Sequence, residues 1–133
     1  MAEFFILDTD VCSYIIKHRP AGLKETFLKH KNDTLCISVV TYAELLYGLE
    51  KNPSKKLEHD IAKFISLVRV VDWNNLAAQK YANIRHALTK KGQVIGSLDM
   101  RIAAAALAMD AQLVTNNKKH FENIEGLKIA DWI

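Results

Sequence analysis

Short apolar runs alternate with stretches of helical periodicity along this chain, and the alternation restricts the possible folds. The apolar runs at residues 4–7, 35–39 and 113–115 are typical of buried strands. Stretches with one apolar helical face lie between them, and turn residues such as Pro53 separate neighbouring elements. Strands that alternate with helices favour a mainly parallel sheet covered on both faces. We therefore expect an α/β fold, a three-layer α/β/α sandwich with a short, mainly parallel central sheet.

Capping residues indicate where several helices begin and end. Ser54 is expected to cap a helix that runs to about residue 67. Asn75 is expected to cap a long helix that ends at Gly92, and Ser97 to cap the helix that follows. This last helix is apolar nearly all round, which predicts a central and buried position.

The composition limits the class of protein. With 133 residues, half of them hydrophobic, the chain predicts one domain, residues 1–133, with one core. The formal net charge of +3 permits nucleic acid binding without requiring it. No apolar run reaches the ~18 residues of a membrane span, and the N-terminus lacks the pattern of a signal peptide. Cys12 and Cys36 lie in apolar contexts, so we expect buried free thiols and a cytoplasmic protein.

Three acidic residues lie at apolar strands or helices that are far apart in the sequence: Asp8, Glu44 and Asp99. Asp8 directly follows the first predicted strand, and ligands of open α/β sheets bind outside the carboxyl ends of the strands. Carboxylates that converge on one cleft repel each other unless a divalent cation holds them. The pattern therefore indicates a metal-dependent phosphodiester hydrolase.

Each acid also has a purely structural interpretation. Asp8 can cap a helix that starts near residue 11. Asp99 lies in the first turn of a helix, where the dipole stabilises a carboxylate by about 0.3–1 kcal/mol. Glu44 lies opposite the apolar side of its helix, as a solvated glutamate does. That apolar side is expected to consist of Tyr42, Leu45, Leu46 and Leu49. The residues alone leave both interpretations open.

The string Asp8-Thr9-Asp10 also resembles the opening of the haloacid dehalogenase phosphatases. In that family the first aspartate is a nucleophile and the second a general acid. The phosphatase interpretation requires a later acidic pair at the end of a strand. Here the later strand is followed by Thr115-Asn116-Asn117, which contains no acid.

Basic residues occur in small clusters, such as residues 17–19 and 118–120. Each cluster alone is typical of a solvated loop end. Together the clusters could follow a phosphate backbone around an acidic centre. The sequence contains no Gly-rich phosphate loop, which argues against nucleotide binding.

Several motifs, in their order and spacing, resemble the PIN-domain ribonucleases of the VapC toxin type over nearly the whole chain. They are Leu7-Asp8-Thr9, the stretch from Ile37 to Thr41 with Glu44-Leu45-Leu46-Tyr47-Gly48, Ile95-Gly96-Ser97-Leu98-Asp99, Leu113-Val114-Thr115-Asn116-Asn117, and Phe121-Glu122 with Gly126-Leu127 and Asp131-Trp132.

This resemblance implies a PIN-like fold and a metal-dependent endoribonuclease. The acids of the family correspond to Asp8, Glu44 and Asp99, which would be the catalytic residues and would bind Mg²⁺, with Mn²⁺ as a substitute. Thr115 and Asn116 correspond to the polar motif beside the metal. Thr9 and His120 are further candidates for supporting the site.

The resemblance also implies the partners of the chain. They are a cognate small antitoxin of the VapB type, structured RNA such as the anticodon loop of tRNA, and a second copy in a homodimer. Operator DNA would be bound only through the antitoxin.

The chain departs from the family pattern at two positions. Asp10 stands where the family usually has Asn, and His120 stands where it often has a fourth acid. The change at His120 leaves open one metal or two. It also leaves open a non-catalytic RNA-binding protein with a decayed site, and a related flap-type DNA nuclease is a third alternative.

Overall fold

A computed structural model describes residues 3–132, which form five strands and seven helices. The strands are β1 (Phe4–Leu7), β2 (Thr34–Ser38), β3 (Arg69–Val71), β4 (Gln112–Val114) and β5 (Ile129–Ala130). The helices are α1 (Thr9–Ile16), α2 (Leu23–Lys29), α3 (Val39–Lys51), α4 (Lys55–Ile65), α5 (Asn75–Lys90), α6 (Ser97–Met109) and α7 (Lys118–Phe121). The expected domain of residues 1–133 also includes residues 1, 2 and 133, which lie outside the described residues.

The strands form one sheet in the order β3-β2-β1-β4-β5, and every neighbouring pair is parallel. The central strand β1 pairs with β2 on one side and with β4 on the other, for example Ile6 with Cys36 and with Leu113. The strand order therefore changes direction at β1. In an open parallel sheet such a switch point leaves a crevice at the carboxyl ends of the strands.

Two apolar cores lie on the two faces of the sheet. Phe5 and Leu7 pack with α1, α2 and α4 on one face, while Ile6 packs with α5, α6 and Phe121 on the other. Alternate residues of β1 therefore serve opposite cores, as the pleat of a strand requires. This arrangement confirms the expected α/β fold with helices on both faces of a parallel sheet.

The central position expected for α6 is confirmed. Ile102 and the four alanines 103–106 on this helix are buried, although Asp99 and Arg101 keep part of its first turn in solvent. The apolar character of α6 thus reflects burial between α5 and the sheet. None of the helices described between residues 3 and 132 combines the length and apolar character needed to cross a membrane.

Several predicted boundaries differ from the observed ones. Ser54 caps α4 as expected, with its hydroxyl accepting from the Leu57 N–H at 3.1 Å. However, the capping residue of α5 is Asn74 rather than Asn75, and the residue before α6 is Gly96, so Ser97 is its first helical residue. Neighbouring polar residues compete for a cap, and the backbone dihedrals around the turn decide between them.

Candidate active site

Asp8 follows β1 at the switch point of the sheet. Its backbone N–H still donates to the Val114 carbonyl at 3.1 Å, so Asp8 is held between β1 and β4. Its side-chain Oδ1 accepts from the Val11 N–H at 2.8 Å and caps α1. The structural interpretation of Asp8 is therefore correct, and it is compatible with a place in the site. The cap also makes α1 begin at Thr9, earlier than predicted.

Burial raises the pKa of the Asp8 carboxyl from 3.8 to about 6. Hydrogen bonds from the Thr115 side chain and the Val11 N–H oppose this rise, while the negative charges of Asp10 and Asp99 add to it. Asp8 is only 4% exposed. A buried carboxylate beside two other acids is costly, and a nearby cation would relieve the cost.

The polypeptide path brings Asp99 to the same edge of the sheet. α6 immediately precedes β4, so it begins near the carboxyl ends of the strands and runs back against their direction. Asp99 lies in its first turn, and Ala103 and Ala106 farther along the helix are fully buried. These small side chains let α6 pack closely, which positions the Asp99 carboxylate near Asp8.

The segment after β4 connects the two carboxylates. The Thr115 hydroxyl accepts the Asn117 N–H at 3.0 Å and donates to Asp8. The Asn117 side-chain amide lies 3.2 Å from His120 Nδ1, and that ring nitrogen lies 2.9 Å from Asp99 Oδ2. Buried Phe121 anchors the end of this segment in the core. Thr115, Asn117 and His120 thus form a polar chain from Asp8 to Asp99.

Glu44 lies on α3, at the border of this site. The Thr9 and Thr41 hydroxyls are 3.1 Å apart where α1 and α3 begin, and Glu44 lies about one turn after Thr41. The Glu44 side chain is exposed and lines a groove of about 330 Å³ with Ser13, Lys17 and other residues of α1, α3 and α4.

The expected apolar side of α3 was only partly correct. Leu45 is buried as predicted, but Leu46 is 41% exposed. Helix α3 contacts the core through a stripe that is narrower than the predicted one and that consists of the buried residues Thr41 and Leu45. Glu44 follows Thr41 on the side of α3 that faces α1, so it is not simply directed away from the molecule.

The structure brings together Asp8, Asp99, Thr115 and His120, with Thr9 next to Asp8 in the chain. It does not bring Glu44 into a compact three-acid group. Within residues 3–132, no three side chains of His, Cys, Asp or Glu are grouped closely enough to hold a metal ion. The two acids that lie close together are Asp8 and Asp99, since the charge of Asp99 raises the pKa of Asp8. Such a pair fits Mg²⁺, which binds through one or two carboxylates and keeps several waters.

Asn117 is the site residue that the sequence reasoning missed. Asn117 donates its backbone N–H to Thr115, and its side-chain amide lies 3.2 Å from His120, whereas the side chain of Asn116 is exposed and its expected place beside the metal stays a prediction. The spacing offered a signal, because a threonine hydroxyl commonly accepts the backbone N–H two residues later.

The buried thiols of Cys12 and Cys36 were predicted correctly.

The family profile described as "PIN domain" matches residues 5–127 of this chain. A relative from Shigella flexneri, named tRNA(fMet)-specific endonuclease VapC, is 38% identical over 130 residues, which are 96% of this chain and 97% of the relative.

Solved structures of complexes resemble the fold closely. A chain in the crystal structure of VapBC2 from Rickettsia felis, bound to a DNA fragment from their promoter, has a TM-score of 0.91 and 33% identity, covering 97% of this chain and 98% of that one. A chain in DNA-bound VapBC from Salmonella typhimurium has a TM-score of 0.86 and 38% identity, with full coverage of both chains.

Proposed function

Because this chain belongs to the PIN domain family and is a VapC-type endoribonuclease of the toxin–antitoxin systems, we propose that it cleaves tRNA at the carboxylate pair Asp8–Asp99. The observation that carries the proposal is the buried Asp8 carboxylate at the switch point, beside Asp99. Asp8 alone caps α1, and α6, in whose first turn Asp99 lies, has no side-chain cap hydrogen bond. Membership of the family removes the phosphatase interpretation.

Asp8 and Asp99 would hold the metal, and Glu44 would complete or orient its hydration shell from α3. Mg²⁺, or Mn²⁺ in its place, supplies a Lewis acid for the scissile phosphate and a bound water of lowered pKa. Thr115 fixes the Asp8 carboxylate by donating its hydroxyl hydrogen. His120 fixes the Asp99 carboxylate through Nδ1, while Thr9 braces α1 against Thr41. Asn117 supports this arrangement through its contact with His120, and Asn116 beside it would face the metal.

The reaction is hydrolysis of an RNA phosphodiester. Water adds its oxygen to phosphorus, and the bond from phosphorus to the 3′ oxygen breaks. The expected products therefore carry a 5′-phosphate and a 3′-hydroxyl. No 2′-hydroxyl takes part, so a 2′,3′-cyclic phosphate among the products would contradict this mechanism.

The proposed substrate is structured RNA, and specifically the anticodon loop of a tRNA. The name of the Shigella relative supports tRNA, and initiator tRNA is the first to be tested. Exposed Lys119 lies next to His120 and could contact phosphates that flank the cleaved bond. Single-stranded loops offer the unstacked bases that sequence-specific proteins read in RNA.

The proposed inhibitor is a small antitoxin of the VapB type. The carboxylate pair would accept an arginine from this partner, because a guanidinium makes strong paired hydrogen bonds with carboxylates. A partly apolar surface leads towards Glu44: three adjoining depressions over α1 and α4 share Ile16. A segment of the antitoxin lying on this surface would reach the site from the side of α3.

Further proposals concern assembly. One side of α3 exposes the apolar residues Val39, Leu46 and Tyr47, and burying this surface against a second copy would support a homodimer.

Promoter DNA would be contacted only through the antitoxin, in a complex resembling the one from Rickettsia felis. We propose that residues 1–133 form one PIN domain acting in the cytoplasm, where tRNA is found.

The experiment is digestion of total bacterial RNA and of purified initiator tRNA by antitoxin-free protein with Mg²⁺. Fragment ends are mapped by sequencing and tested for 5′-phosphates. Cleavage at one or a few sites is expected. The Asp99→Asn variant should not cleave, because it removes one carboxylate of the pair.

Asp110→Asn is the matched control, since it makes the same change at the other end of α6. Asp110 is exposed, and asparagine tolerates its left-handed backbone at φ 53°. Its surface ion pair with Lys128 contributes little to stability. Equal cleavage by wild type and Asp99→Asn would reject the proposed site. Absence of cleavage by wild type, with Mn²⁺ also tried, would favour a decayed site.

A further inference from the structure

His120 contributes an imidazole to the site. Its Nδ1 lies 2.9 Å from Asp99 Oδ2, at the distance of a hydrogen bond that the ring nitrogen donates to an ionised carboxylate. Asn117 contacts the ring from the same segment. Because buried Phe121 follows directly in α7, the backbone at His120 is firmly placed. The fold therefore places the side chain of residue 120 within contact distance of Asp99.

Both carboxylates already use one oxygen inside the protein. Asp99 Oδ2 accepts from His120, and Asp8 Oδ1 accepts from the Val11 N–H at 2.8 Å. The Thr115 hydroxyl also donates to the Asp8 carboxylate, so hydrogen bonds within the protein take up part of the acceptor capacity of both carboxylates, which suits coordination of one shared cation.

The local charge leads to the same conclusion. Asp8 and Asp99 together carry two negative charges, which balance one divalent cation. Asp10 is exposed in the first turn of α1, and Glu44 lies in the groove between α1 and α3. A second divalent cation would need a further carboxylate close to the pair, because the affinity of hard cations depends on the number of charged oxygen ligands.

We propose that His120 restricts this centre to a single divalent cation and acts as a positioning residue for Asp99. The inference rests on the proposed function. It goes further because it attributes the number of bound metal ions to one side chain. A glutamate at the same position would add a carboxylate beside Asp99 and create a second cation site.

The test is a titration of the full-length protein with Mn²⁺, in which free Mn²⁺ is counted by electron paramagnetic resonance and heats are measured by calorimetry. Wild type should bind one Mn²⁺ per chain, and His120→Glu should bind two. His120→Ala should bind one ion about 10–100-fold more weakly, since it removes a group that orients a ligand. His120→Gln retains an N–H donor and should recover part of that affinity.

His86→Glu is the matched control for the added charge, because His86 is exposed on α5, outside the site. It should bind one ion with the affinity of wild type. Two ions in wild type, or one in His120→Glu, would overturn the inference while leaving the ribonuclease function in place. Failure of wild type to bind Mn²⁺ would instead overturn the metal-dependent function itself, and the inference with it.

Discussion

Two histidine–aspartate pairs lie at opposite ends of the sheet, and their geometry at the contact is the same. His120 Nδ1 is 2.9 Å from Asp99 Oδ2 at the carboxyl end, and His30 Nδ1 is 2.9 Å from Asp33 Oδ2 at the amino end. The contact distance alone therefore does not identify a functional site. The surroundings of the two pairs distinguish them.

The His30–Asp33 pair is a local structural contact. Its members are three residues apart in the turn between α2 and β2, and Asp33 also accepts the Glu3 N–H at 2.9 Å. The His30 ring stacks on Trp132 with 4.4 Å between centroids and meets Phe5 edge-on. The surrounding chain thus uses both side chains to close the amino end of the sheet.

The His120–Asp99 pair joins elements that are distant in sequence. It links α6 to α7 beside the buried carboxylate of Asp8, whose pKa is raised. At the amino end, by contrast, hydrogen bonds lower the pKa of Asp33, first from the Glu3 N–H and then from His30. The buried acid with the raised pKa, Asp8, is therefore the better candidate for a functional residue.

The largest expected difference between the two ends is in catalysis. Asp8→Asn should reduce RNA cleavage by more than about 100-fold, since loss of a metal ligand should exceed the effect of losing a group that merely orients one. The Asp33→Asn variant should cleave at the wild-type rate, because this substitution lies at the amino end of the sheet, away from the site. Single-turnover rates on one tRNA substrate measure both. Similar losses in the two variants would remove the distinction between the ends.

The next largest effect is on stability, which Asp8→Asn should raise although it lowers the cleavage rate. The pKa of Asp8 in the folded protein, about 6, exceeds its ordinary value of 3.8, so folding favours the protonated form. Wild type therefore loses stability as pH rises from about 4 to 6. Asparagine does not titrate and preserves the cap of α1. The metal-free Asp8→Asn variant should gain stability over wild type through this window and keep the gain above it.

The size of this gain has an upper bound of about 3 kcal/mol, because a change of one in pKa corresponds to about 1.4 kcal/mol. Urea unfolding in EDTA at pH 4, 6 and 7.5 measures it. A constant difference between variant and wild type at all three pH values would show that titration of Asp8 is not the cause.

A smaller effect concerns the two histidines. His30→Ala should lower the free energy of unfolding by about 1 kcal/mol, since it removes aromatic contacts with Trp132 and Phe5. His120→Ala in metal-free protein should lower it less, because its side chain is about half exposed. Thermal unfolding in EDTA compares them. A larger loss of stability for His120→Ala than for His30→Ala would contradict the structural role of the pair at the amino end of the sheet.

The smallest effect is the pH dependence of Asp33. Its lowered pKa means that its ionised form stabilises the fold above the ordinary value of 3.8, and the contribution disappears as pH falls through the folded pKa. Asp33→Asn should therefore be less stable than wild type at neutral pH and converge with it in acid. Acid titrations of both proteins, followed by circular dichroism, test this direction.

Much of the fold could be predicted from local patterns. The strand β1 and the central helix α6 are recognisable from their continuous apolar character, and the position of Asp8 at the end of the first strand was predicted. Helix starts were less certain, as Asn74 and Gly96 demonstrate. The contact between Asn117 and His120 was missed, because a turn conformation decides which of two adjacent asparagines faces the ring.

The sequence by itself determined the order of strands and helices, the buried thiols and the chemical types available at the carboxyl end of the sheet. Only the tertiary structure decided that Asp99 contacts His120 and lies close enough to Asp8 to raise its pKa, while Glu44 lines the groove along α1. The reason is physical: periodicity reports which face of an element is buried, but the distance between two acids depends on strand order and helix packing. The raised pKa of Asp8 likewise arises from desolvation, which exists only after the chain has folded.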